Sequence, residues 1–117
     1  MLKSYLTSMK RAGGGIWFVL KTEKNFKIQS IAALAVIVLS FAVGLSKWEW
    51  IVIVLLIGMV LSLELINSTV EKVVDIIHPR FHGQVKVIKD ILAGAVLIAA
   101  TIAAIIGVII FWPYLFE

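Results

Sequence analysis

Three long runs of apolar residues, separated by short polar stretches, dominate this chain. Residues 28–46 form the first run, which as a helix would cover about 28 Å, close to the hydrocarbon thickness of a bilayer. Residues 48–67 form the second. It opens on Trp48 and Trp50, placed in a short Lys47–Trp50 turn where tryptophan is expected at a membrane–water boundary. Residues 91–112 form the third, which ends on Trp112 with Pro113 and Tyr114 just beyond. Ahead of all three, Leu2, Tyr5, Leu6, Met9, Gly13, Ile16, Trp17 and Leu20 recur with a 3.6-residue period. Lys3, Ser4, Thr7, Ser8, Lys10 and Arg11 occupy the other faces. That pattern predicts an amphipathic helix lying in the membrane surface. The expected architecture is therefore an all-α membrane protein, with one interfacial helix followed by three transmembrane helices. Residues 1–117 read as a single membrane-embedded unit, in which 1–27 carries the interfacial helix and a cytoplasmic segment.

Between the apolar runs the pattern is less decisive. Gly13–Gly15 interrupts the first helix and predicts a bend or a close packing contact, since glycine weakens a helix interior by about 1 kcal/mol. The glycines lack the Gly-Lys-Ser/Thr that a phosphate-cradling loop requires, because Ile16, Trp17 and Phe18 follow them. Residues 68–90 read as a charged loop or as a continuation of the neighbouring helices. In the third run, Ala95, Ala99, Ala103 and Gly107 place a small residue at every fourth position, a ridge suited to close helix packing in lipid.

Composition supports the membrane reading. Of 117 residues, 62% are hydrophobic, too many for a small soluble domain to cover with polar surface. There is no cysteine, which excludes disulfides, thiolate catalysis and cysteine-based zinc sites. Residues 1–27 lack the compact apolar core of a cleavable signal peptide. The net charge of +4 would suit nucleic acid, but its placement does not. Lys3, Lys10, Arg11, Lys21, Lys24 and Lys27 precede the first run, and Lys72, Arg80, Lys86 and Lys89 lie between the second and third. Only Lys47 falls on the opposite side. The positive-inside rule then puts the N-terminus and residues 68–90 in the cytoplasm and the C-terminus outside. The basic excess is a topology signal, and no nucleic-acid partner is expected.

Candidate chemistry gathers in Glu64–Asp75, ELINSTVEKVVD. On a helix, Glu64, Asn67, Ser68, Glu71 and Asp75 share one face, since residues three and four apart are neighbours. With this topology Glu23, Glu64, Glu71, Asp75, Lys89 and Asp90 all converge on the cytoplasmic boundary. Carboxylates beside lysines at a wet membrane edge suit a hard, oxygen-seeking cation such as Mg²⁺, which usually arrives with substrate phosphates. Glu64 ends an uninterrupted apolar run, and a poorly hydrated carboxylate there suits a general base. Glu71 and Asp75 taken alone are equally well read as a solvated face with helix salt bridges. His78 and His82 have ligand-like spacing, but Pro79 opposes a helix that would present both on one face.

These residues resemble a known family. ELINSTVEKVVD, EKNF at Glu23–Phe26 and KDILAGAVLI at Lys89–Ile98 are similar to the small bacterial integral-membrane diacylglycerol kinases, a family that includes the undecaprenol kinases. The resemblance covers nearly the whole chain, in order and with the same three-span layout. It implies a homotrimer in the cytoplasmic (inner) membrane, with sites shared between subunits. It also implies direct transfer of the γ-phosphoryl group of MgATP to a lipid hydroxyl. Under the resemblance Glu64 matches the catalytic base, and Glu23 and Glu71 match metal-binding glutamates supported by Asn67. Lys89 and Asp90 match residues at the nucleotide, and Asp75 is a supporting residue. Gln29 and Ala93 stand where some members carry Glu and Ser, so no role is carried over to either. EKNF and LAGAVLI look closer to the undecaprenol-kinase branch.

Two readings from other classes compete. A proton-coupled transporter would use Glu64 as a relay, but such proteins place ionisable groups near mid-membrane. A structural membrane subunit would use the Ala95–Gly107 ridge and leave the acidic stripe unexplained.

Overall fold

The structure is a computed structural model that describes residues 1–77, 80 and 82–117. The described residues form four helices: α1 (Leu2–Thr22), α2 (Lys24–Val43), α3 (Lys47–Ile77) and α4 (His82–Phe116). The last three are long and apolar enough to cross a membrane. The chain is thus an all-helical membrane protein with an amphipathic helix in front.

Single residues set the helix boundaries. Glu23 is extended, at φ −104° and ψ 115°, and separates α1 from α2. Its N–H donates to the Val19 carbonyl at 2.8 Å, and its carbonyl accepts from the Lys27 N–H at 3.1 Å. One residue therefore closes one helix and opens the next. At the far end Gly44 adopts the left-handed conformation, φ +72°, which costs a residue without a β-carbon little. The N–H groups of Gly44 and Leu45 both return to the Ser40 carbonyl. The first spanning helix consequently stops at Val43 rather than at residue 46.

The turn into α3 is held by a reciprocal cap. The Ser46 N–H donates to Glu49 Oε1 at 2.9 Å, and the Glu49 N–H donates to Ser46 Oγ at 3.3 Å. This is the Ser-x-x-Glu capping box, which satisfies two otherwise orphaned donors. Lys47–Trp50 is therefore the first turn of α3, not a separate turn. Tyr114, from the last turns of α4, also donates its hydroxyl to Glu49 Oε1.

Residues 68–77 and 82–90 continue the neighbouring helices. α3 runs on to Ile77 and α4 starts at His82. Thr69, Lys72, Asp75, Lys86 and Asp90 are exposed there, whereas Ser68 is buried and Glu71 half-buried; helices that project beyond a bilayer can carry such polar faces. Gly13–Gly15 neither bends α1 nor packs closely: the helix runs through them, and a β-carbon at any of the three would meet nothing within 4 Å.

The helices pack antiparallel, with α3 against α4 as the most extensive pairing. Leu45, Ile53 and Phe111 form a buried cluster near the Gly44 end, with Val36, Leu39 and Trp50 around it. Phe26, Val74 and Val85 are buried toward the opposite end. Of the small-residue ridge on α4, Ala99 is buried. Ala103 and Gly107 instead line an open groove of about 530 Å³ between α2, α3 and α4.

Candidate functional site

The acidic stripe lies on about the last four turns of α3, alongside the break between α1 and α2. Glu64, at 5% exposure, is nearly buried, and so is Ser68 one turn on. Asn67 and Glu71 are half-buried on the adjoining face, and Asp75 is exposed. The shared face expected from the sequence is thus present, graded from dry at Glu64 to wet at Asp75.

Glu23 reaches this stripe because the chain breaks there. Its backbone opens α2 without a side-chain cap, which leaves the carboxylate to point across to α3. Glu23 Oε1 accepts from Lys72 Nζ at 2.9 Å and from Ser68 Oγ at 3.3 Å. Lys72 Nζ also lies 3.5 Å from Ser68 Oγ and 5.4 Å from the centre of the Phe18 ring. The hydrogen-bonded Lys72 ammonium holds the Glu23 carboxyl below its ordinary range, against opposing effects of burial and of Asp75. Helical side chains lean toward the helix N-terminus, so Lys72 extends back over Ser68. The charges of Glu71 and Glu23 both act on Glu64, which places three carboxylates in one electrostatic neighbourhood.

Asn67 Nδ2 donates to Glu71 Oε1 at 3.2 Å, the one-turn pairing that their spacing permits. Lys89 and Asp90, neighbours in sequence, part company in space. Lys89 Nζ crosses from α4 to Asp75 Oδ1 at 3.4 Å. Asp90 is exposed and pairs with Lys86 on its own helix at 2.7 Å. The expected constellation thus divides into Glu64, Glu23 and Glu71 near the apolar boundary, and Asp75 with Lys89 one turn farther out. Among the described residues, no three His, Asp or Glu side chains close around a common point as a cation site. His78 lies outside the described residues, so the His78–His82 pairing does too.

Ser68 and Lys72 were not singled out as site residues, yet both contact Glu23. A signal existed: Glu64, Ser68 and Lys72 follow one another at four-residue steps, and so share a face.

Comparison with known proteins adds an independent finding. A sequence profile of the family described as prokaryotic diacylglycerol kinase matches residues 10–111. An undecaprenol kinase of Bacillus subtilis (strain 168) is 46% identical over 114 residues, covering 97% of this chain and 93% of that protein. A diacylglycerol kinase of Synechocystis is 36% identical over 103 residues, covering 87% of this chain and 59% of that protein. A diacylglycerol kinase of Haemophilus influenzae is 34% identical over 112 residues, covering 95% of each chain.

Proposed function

Because this chain belongs to the prokaryotic diacylglycerol kinase family, we propose that it is an ATP-dependent lipid kinase whose site is the boundary end of α3. The acceptor is the hydroxyl of a membrane lipid, diacylglycerol or undecaprenol. The B. subtilis relative, with the higher identity, is named for undecaprenol. The observation that carries the site is the meeting of Glu23 with Ser68 and Lys72 one turn from the nearly buried Glu64.

In this reading Glu64 takes the proton of the lipid hydroxyl. The hydroxyl oxygen then attacks the γ-phosphorus, and the bond to the bridging oxygen breaks to release ADP. Phosphoryl transfer depends on positioning and charge neutralisation more than on covalent chemistry. Glu64 sits where the apolar helix face gives way to the carboxylates, so a lipid hydroxyl at the membrane boundary and a phosphate from the water side can meet beside it. Glu23 and Glu71 supply hard oxygen donors that fit Mg²⁺. The ammonium already on Glu23 Oε1 marks that position as one that accepts positive charge. Held by Glu23 and Glu71, Mg²⁺ would supply positive charge that offsets the charge of the phosphates. Asn67 orients Glu71 through its hydrogen bond. Lys89 and Asp90 serve the nucleotide, and Asp75 supports the site through its pairing with Lys89.

The lysine and arginine distribution supports an orientation with the N-terminus and residues 68–90 in the cytoplasm, the C-terminus outside, and the protein in the cytoplasmic membrane. The sparse packing of the chain on itself supports a homotrimer, as does family membership.

Transfer of label from γ-labelled ATP in mixed micelles tests the function. Diacylglycerol and undecaprenol are offered separately, with and without Mg²⁺. Label entering one lipid identifies the acceptor, and its loss on Mg²⁺ chelation supports the metal. Label in neither lipid from folded protein contradicts the reading.

A further inference from the structure

Lys72 is the one cation in contact with Glu23 among the interactions of the described residues, and its geometry is that of an exchangeable counter-ion. Its ammonium and the Ser68 hydroxyl both fall on Oε1 of Glu23, at 2.9 and 3.3 Å. The lysine side chain keeps 46% of its exposure and Glu23 keeps 30%, so water reaches the pair. A lysine ammonium is a mobile point charge on a flexible stem, whereas arginine would fix a carboxylate through two parallel hydrogen bonds. The stem lies beside a groove of about 440 Å³ between α1 and α3, lined by Gly15, Ile16, Val19, Leu65 and Thr69, with Phe18 beneath the ammonium. The lysine therefore has room to swing away without disturbing a packed core.

We propose that Lys72 is a positioning residue that holds Glu23 against Ser68 in the cation-free protein and is exchanged for the divalent cation when the site loads. The exchange follows from charge. Like-charge repulsion disfavours an ammonium and a divalent ion on the same carboxylate oxygen at contact distance, so the two compete for Glu23. In the cation-free state Lys72 offsets the charge of Glu23, one of the three neighbouring carboxylates. It also ties the α1–α2 break to α3. The inference rests on Glu23 being a cation ligand, as proposed above.

The test is binding of Mn²⁺ alone, without nucleotide or lipid, to the full chain in detergent, read from the electron paramagnetic resonance signal of free Mn²⁺. Wild type, Lys72→Met, Lys72→Gln, Lys72→Arg and Glu23→Gln are compared. Both neutral variants should bind Mn²⁺ about fivefold more tightly, the full worth of an exposed ion pair. Lys72→Arg should bind no more tightly than wild type, and Glu23→Gln should lose the site. A purely structural lysine would leave the affinity unchanged or weaken it when removed. Unchanged or weaker binding in the neutral variants, with binding lost in Glu23→Gln, overturns the role of Lys72 and leaves the cation site standing. Wild-type binding in Glu23→Gln, or no binding in any variant, overturns the cation site and this inference together.

Discussion

At Glu23 the backbone and the side chain work on different partners. The extended backbone separates α1 from α2, and the carboxylate crosses to Lys72 and Ser68 on α3. Lys72 stabilises the charged form, so the folded protein binds the Glu23 proton more weakly than the unfolded chain does. The pairing is therefore complete above the ordinary value of 4.5 and is lost as pH falls through the lowered one. A nitroxide on a single cysteine at Ser8, in a chain with no native cysteine, reports the docking of α1. Its spectrum should sharpen as the pH drops below that range, and in Glu23→Gln it should be pH-independent. The stripe itself was legible, because Glu64, Asn67 and Glu71 stand at helical spacings. The Lys72 pairing was not. Along the chain Glu23 sits among Lys21, Lys24 and Lys27, and only the break in the helices turns it toward a lysine on α3 instead.

Among the elements, the α2–α3 turn concentrates local structure in Gly44, Ser46 and Glu49. Ser46→Ala removes half of the capping box and should cost about 1 kcal/mol. Gly44→Ala forces a β-carbon into the left-handed region and should cost about 1–2 kcal/mol. Gly14→Ala should act in the opposite direction. The helix there is regular and open, so alanine is expected to stabilise α1 by up to about 1 kcal/mol. Unfolding in micelles, followed by circular dichroism, measures all three. A destabilised Gly14→Ala would show that α1 packs against something beyond this chain. The three spans were legible from apolar run length alone. Their ends were not, because Ser-x-x-Glu at 46–49 lay within a tryptophan-rich stretch that reads as an interface. Likewise, the polar residues of 68–77 do not distinguish a loop from a helix leaving the bilayer.

The whole molecule measures 56 × 41 × 22 Å, and its longest axis is close to the roughly 52 Å expected of a 35-residue helix. It is a flat layer of helices rather than a closed core. Large apolar residues such as Leu34, Phe41, Leu55, Leu97 and Ile109 remain exposed on the spanning helices. Lipid covers such faces at no hydrophobic cost, and helices of other chains can pack on them through shape. The homotrimer proposal predicts that cross-linking in mild detergent yields a limiting species of three 12.9-kDa chains. A limiting monomer would contradict it. At this scale the transporter reading loses its footing. Glu23, Glu64, Glu71, Asp75 and Asp90 lie toward one end of the spans and Glu49 and Glu117 toward the other, and spans 28–46 and 91–112 carry no acidic residue in their interiors.

The proposed chemistry turns on proton transfer to Glu64. Its most direct test sets Glu64→Gln beside wild type, with phosphate transfer from labelled ATP to the accepted lipid and ATP binding measured on the same folded preparations. Glutamine keeps the shape and removes the base, so transfer should fall by about 10²–10⁴-fold while ATP binding stays near wild type. Near-normal turnover in Glu64→Gln would contradict the assignment and move the base elsewhere on the α3 stripe.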